Sequence, residues 1–82
     1  MNNYPKLTKR EKEVKNFVFQ GFTNKQIAKR LSISQHTVKA HVNNLLSKFE
    51  VKGRTELMLW ELLTISNEIE KLYKFTKSMK GV

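Results

Sequence analysis

The tripeptide Ser32-Ile33-Ser34 interrupts two stretches of helical periodicity, a short one and a longer one, and this break constrains the fold more than any other feature. Upstream of it, Thr23 with Gln26 forms a T-x-x-Q capping box, a helix-start signal. Ile27, Ala28 and Leu31 then give a short helix 2 its apolar side. Downstream, Ser34 is placed to accept from the free amides at the start of Gln35-His36-Thr37 and so to cap helix 3, roughly residues 35–49. A three-residue break between a short helix and a longer one is the spacing of a helix-turn-helix. Ala28 suits a close approach of two helix backbones, and Ile33 can plug the apolar gap at the corner.

The rest of the chain also reads as helix. Thr8 with Glu11 opens helix 1 over roughly residues 9–20, with Val14, Phe17 and Val18 at helical spacing and Gly21 as a left-handed stop. Residues 1–6 contain Pro5 and read as a frayed, flexible arm. Lys52-Gly53-Arg54 is a basic loop, and from Thr55 no glycine or proline intervenes before Gly81, so a final helical segment follows. No apolar alternation or Asn-Gly hairpin signal is present, and the expected class is all-α. At 82 residues without a cysteine, the chain has no disulfide or thiolate zinc site to support a small core. Helix packing, dimerisation or both must do so. No apolar run is long enough to span a membrane and no signal-peptide segment is present, so a cytoplasmic location is expected, without membrane partners.

Charge supplies the first functional hint. Residues 1–54 hold twelve lysines and arginines against three glutamates, which is the whole net charge of +9, whereas residues 55–82 balance four against four. An excess confined to the first two-thirds of the chain points to a polyanion, most commonly nucleic acid. The bland alternative is a lysine-rich solvated surface.

Helix 3 has two chemically distinct sides. At about 100° per residue, Val38, Val42, Leu45 and Phe49 share one stripe, while His36, Lys39, Ala40 and Asn43 fall on the opposite side. The second set has base-reading chemistry: lysine suits guanine O6/N7, asparagine suits adenine N6/N7, and an alanine methyl meets a thymine methyl. A plain solvated face is the competing interpretation of any single helix. The break and the preceding short helix shift the balance toward base readout. Phosphate contacts are expected from Thr23, Asn24 and Lys25 at the start of helix 2, with Thr37, Lys48, Lys52 and Arg54 flanking the groove. The expected partner is double-stranded DNA.

Other chemistries find little support. Seven carboxylates form no evident catalytic pair, so no catalytic residue and no enzyme activity are expected. His36 and His41 lie five residues apart, about 140° around a helix, and cannot share a metal ion. No metal, cofactor or small-molecule ligand is expected. RNA binding lacks an aromatic stacking platform. The serious rival is a helix-turn-helix adaptor that acts through protein contacts, for example with RNA polymerase, though such an adaptor would not require a basic reading face.

Leu7-Thr8-x-Arg10-Glu11-x-Glu13-Val14 and Gly21-x-Thr23-Asn24-Lys25-x-Ile27-Ala28 together resemble the LuxR/GerE-type helix-turn-helix family of transcriptional regulators. So do Leu31-x-Ile33-Ser34-x-x-Thr37-Val38-Lys39-x-His41 and the later Lys48, Val51, Arg54 and Thr55. The resemblance covers about residues 7–63 and implies a four-helix DNA-binding domain with helix 3 as recognition helix. It also implies base contacts at His36, Lys39, Ala40 and Asn43, and dimerisation through the fourth helix. The chain carries no receiver or ligand-binding domain, so it resembles the short stand-alone members; an excised fragment is the alternative. Three positions depart from the family pattern. Lys15 stands where an apolar residue is usual, Phe19 is large where the family tends to be small, and Glu50 replaces the glycine that normally ends helix 3. If the backbone at Glu50 is left-handed, the substitution costs on the order of 1 kcal/mol; otherwise the helix ends differently here.

Beyond residue 63 the resemblance stops, and residues 64–82 form a helical extension. Met58, Leu62, Ile65, Ile69, Leu72, Thr76 and Met79 alternate spacings of four and three, a heptad register interrupted only by Thr76. The expectation is a homodimer through Met58, Leu62, Ile65, Ile69 and Leu72. Either helix 4 extends through about residue 79, or Asn67 with Glu70 caps a separate fifth helix.

Overall fold

The computed structural model describes residues 4–80, with side chains described through residue 76. Four helices follow in order: α1 (Lys9–Phe19), α2 (Asn24–Leu31), α3 (Gln35–Lys48) and α4 (Arg54–Lys80). No strand is present among the described residues. α3 packs against both α1 and α2, and α4 lies on α1.

Each of the first three helices begins on the cap its sequence specifies. Thr8 Oγ1 accepts from the Glu11 amide at 3.1 Å while Glu11 Oε1 accepts from the Thr8 amide at 2.9 Å. Thr23 and Gln26 repeat the reciprocal pair at the start of α2. Ser34 Oγ accepts from the Thr37 amide at 3.0 Å. All three helices then end in one way, with a left-handed residue followed by an apolar one. Gly21, Ser32 and Glu50 have φ of 88°, 56° and 56°. The next amides, on Phe22, Ile33 and Val51, reach back to the carbonyls of Phe17, Ala28 and Leu46, each at 3.0 Å. This is the Schellman arrangement, which satisfies orphan carbonyls and turns the chain sharply. Phe22, Ile33 and Val51 thereby pack onto the core. Of the two outcomes open for Glu50, the left-handed one is realised, and the helix ends as it would with glycine.

The core consists of Val14 and Val18 from α1, Ile27 and Ala28 from α2, Val38, Val42 and Leu45 from α3, then Phe49, with Leu57 and Leu7 closing its ends. Burying such a side chain contributes roughly 1.5–3 kcal/mol, so the one-sided stripe of α3 is what fixes it against both neighbours.

One sequence expectation needs correction. The arm is not frayed over its described part. Tyr4 packs edge-on against Phe49 and Trp60, with ring centroids 5.4 and 5.3 Å away, and Lys48 donates to the Lys6 carbonyl. Edge-on ring contacts at the base of α4 hold Tyr4, which stays partly exposed, and Pro5 reduces the chain entropy they must offset. Residues 1–3 of the arm lie outside the described residues. Of the two courses open to the chain after residue 63, the extended helix is realised: Asn67 sits mid-helix, and α4 runs unbroken for 27 residues. No glycine or proline interrupts it, so helical hydrogen bonding continues through the Asn67 cap signal. α4 is therefore about 40 Å long, and its outer half leaves the domain, with every residue from Ile65 to Thr76 exposed. No helix among the described residues is long and apolar enough to cross a membrane.

Candidate nucleic-acid interface

The cap at Ser34 and the left-handed turn at Ser32 hold α3 at a fixed angle to α2. Val38, Val42 and Leu45 are buried beneath it, and His36, Lys39, Ala40 and Asn43 are all exposed on the opposite side. The polar face is thus brought together as a contiguous surface, free of large apolar side chains, by the same packing that buries the stripe. His41 lies half-buried between the two sides.

The expected phosphate contacts divide into free and engaged groups. Lys25 and Lys52 are exposed and have no hydrogen bond or ion pair among the described residues. Thr23 caps α2 with its hydroxyl oxygen, and Thr37 shares a hydrogen bond with Ser34 Oγ at 2.8 Å. Arg54 turns inward: its guanidinium donates to the Phe22 carbonyl and to Asn24 Oδ1, the latter at 2.5 Å. Burial pushes the Arg54 pKa down. This pair ties the start of α4 to the start of α2, so Arg54 and Asn24 build the site before they touch any ligand. Lys48 is also engaged, with Nζ 2.6 Å from Glu11 Oε1 and 3.1 Å from the Lys6 carbonyl. The hydrogen bond from Lys48, followed by that from the Thr8 amide, holds the buried Glu11 carboxyl below its ordinary range. Lys48 is thereby withdrawn from the flanking clamp expected of it, because a buried carboxylate demands its charge.

Two arrangements are not evident from the sequence, a groove and the pairing of Lys15. A shallow groove brings Thr23, Asn24 and Lys25 beside Gln35, Arg54 and Met58. Gln35 lies about 60° from the buried stripe on the α3 wheel, and its place in the first helical turn is the signal the sequence offers. The second is Lys15, buried in α1 with Nζ 2.6 Å from Glu61 Oε2 of α4 and 5.6 Å from the Tyr4 ring centroid. Desolvation, the largest single influence, pushes the Lys15 pKa down, but Glu61, with Tyr4 contributing, outweighs it and holds the group above its ordinary value. The stem of Lys15 fills the usual apolar position while its charge is paired.

The heptad positions also divide. Met58 is half-buried against the domain's own core, which takes it out of the expected seam. Leu62, Ile65, Ile69 and Leu72 are 50, 40, 62 and 66 % exposed. The Met79 side chain lies outside the described residues.

Two helices joined by a three-residue turn with Ser32 left-handed, and a polar outward face on the second, define a helix-turn-helix module. The chain belongs to the bacterial regulatory proteins of the luxR family, whose pattern it matches over residues 5–60. That family is one of non-enzymatic DNA-binding regulators. The chain is 46 % identical over 69 residues to the uncharacterized transcriptional regulatory protein YhcZ of Bacillus subtilis (strain 168), covering 83 % of this chain and 32 % of YhcZ. It is 44 % identical over 54 residues to the nitrate/nitrite response regulator protein NarL of Escherichia coli (strain K12), covering 66 % of this chain and 25 % of NarL. With the CsgBAC operon transcriptional regulatory protein of the same organism it shares 48 % identity over 54 residues, 66 % of this chain and 25 % of that protein. The matched region thus spans about a third or less of these relatives' length.

Proposed function

We propose that this chain is a sequence-specific DNA-binding transcriptional regulator that acts in the cytoplasm. The observation that carries this is the α3 face of His36, Lys39, Ala40 and Asn43, exposed directly opposite a buried stripe in a luxR-family helix-turn-helix. α3 enters the major groove. Lys39 reads guanine, Asn43 reads adenine, Ala40 meets a thymine methyl, and His36 reaches the groove from the first turn. Lys25, with Thr23 and Asn24, holds a phosphate at the start of α2, and Lys52 and Thr37 flank the groove. Residues 7–63 form the DNA-binding unit. Residues 64–82 serve as the dimerisation element, with Ile65, Ile69 and Leu72, together with Leu62 just before them, as its self-association surface, so that two copies of α3 reach a two-fold operator.

The test is a gel-shift titration against specific and non-specific duplexes. Lys39→Ala and Asn43→Ala should each reduce discrimination by roughly 1–3 kcal/mol, while Lys25→Ala weakens all sequences alike and flattens the salt dependence. Unchanged specific and non-specific affinities in Lys39→Ala would overturn the reading face and leave the adaptor function, with RNA polymerase or another regulator as partner.

A further inference from the structure

Beyond residue 60, where the family match ends, α4 presents an apolar stripe and a sorted set of charges. Past that point Glu61, paired with Lys15, then Glu68 and Glu70 all precede the lysines of α4, which begin with Lys71 and Lys74. The helix macrodipole does not account for this order. Its effect is confined to the terminal turns, and Glu68 and Glu70 stand about four turns from the start of α4. An intrahelical pair, Glu70 to Lys74 at 3.0 Å, is largely solvent-exposed and contributes little. Glu68 and Lys71 have no ion pair among the described residues.

Resting on the homodimer reading, we propose that the occupant of this stripe is the α4 extension of a second copy, paired antiparallel. Parallel pairing would set Glu68 and Glu70 beside their twins, and Lys71 and Lys74 likewise. It would also crowd together two domains that each carry the whole positive excess of the chain. Antiparallel pairing sets each glutamate-bearing half beside a lysine-bearing half and places the two basic domains at opposite ends. Because Met58 is held against its own domain, the stripe open to a partner starts at Leu62. A crossing near Glu70 and Lys71 seats Ile69 of one copy against Leu72 of the other and keeps each helix end clear of the other's helix-turn-helix.

The test uses the full chain and its charge-inverted variant Glu68→Lys/Glu70→Lys/Lys71→Glu/Lys74→Glu. Sedimentation should show wild-type dimers. When the two chains are mixed and analysed by native mass spectrometry, antiparallel pairing predicts self-sorting, with mixed dimers depleted several-fold below random. Enriched mixed dimers mean parallel pairing, which overturns this proposal and leaves the homodimer standing. A wild-type chain that sediments as a monomer overturns the homodimer itself. Should the inverted variant not assemble, nitroxide labels on Leu63→Cys and Lys71→Cys decide orientation in a chain with no other cysteine. Antiparallel pairing makes the Leu63 distance between copies longer than the Lys71 distance by more than about 10 Å, and parallel pairing makes them alike.

Discussion

Lys15 and Glu61 join α1 to α4 through a 2.6 Å ion pair that is largely withdrawn from water, with the second Glu61 oxygen buried and without a hydrogen-bond partner among the described residues. Such a pair costs desolvation that its attraction only partly offsets, and removing one partner strands the other charge.

The consequence is a sign change between single and double variants. Lys15→Leu places an apolar side chain in the core yet leaves Glu61 unpaired, and should cost on the order of 3 kcal/mol in urea unfolding. Lys15→Leu/Glu61→Leu should recover most of that loss or exceed the wild type. Equal losses in both would mean the pair stabilises the protein in its own right. Because the folded Lys15 pKa is raised, the wild-type contribution is complete below the unfolded lysine value of about 10.4 and is lost as pH climbs through the folded one.

Glu50 has φ of 56° with its side chain exposed, so the strain there is in the backbone and not in packing. Glu50→Gly should stabilise the fold by up to about 1 kcal/mol, a rise in Tm of roughly 4–8 °C for a domain of this size. Glu50→Ala, which keeps a Cβ, should give no comparable gain by calorimetry. A gain from alanine equal to that from glycine would place the effect in charge and not in conformation.

The caps and the Gly21 stop were legible because they depend on local chemistry. Thr8-Glu11, Thr23-Gln26 and Ser34 each specify a helix start without reference to the rest of the chain, and the spacing of Val38, Val42 and Leu45 gives one buried side and hence one outward face. What was not legible depends on which charges meet across helices. Lys48 and Arg54 look like surface cations in sequence, and only the packing of α1, α2 and α4 shows that Glu11, Asn24 and the Phe22 carbonyl claim them. The Tyr4 contacts with Phe49 and Trp60 span 45 and 56 residues of sequence, beyond any local pattern. Asn67 left two outcomes open, and the uninterrupted helix prevails over its local cap signal.

Glu11 makes the domain sensitive to acid. Its folded pKa is depressed, so its contribution is present above the unfolded value of about 4.3 and disappears as pH falls through the lower folded value. Glu11→Gln keeps an oxygen for the Thr8 amide but loses the charge facing Lys48. It should lower stability at neutral pH by about 1–3 kcal/mol and flatten the acid limb of a stability-versus-pH series. An acid limb as steep as the wild type's would assign the acid response to other carboxylates.

Arg54 and Lys52 stand two residues apart at the start of α4, and their variants should fail differently. Arg54→Ala removes the donors to the Phe22 carbonyl and Asn24, loosening α2 against α4, and should cost about 1–3 kcal/mol of stability. Lys52 is exposed and unpaired among the described residues, so Lys52→Ala should stay within about 0.5 kcal/mol of the wild type. If Lys52 contacts a phosphate, its removal should instead lower DNA affinity for every sequence and reduce the magnitude of the salt slope by about one. Thermal unfolding and salt-dependent DNA titration of both variants separate the two roles. An Arg54→Ala protein with wild-type Tm but a reduced salt slope would return Arg54 to the phosphate-binding group, with the inward bonds exchanged for the backbone of DNA.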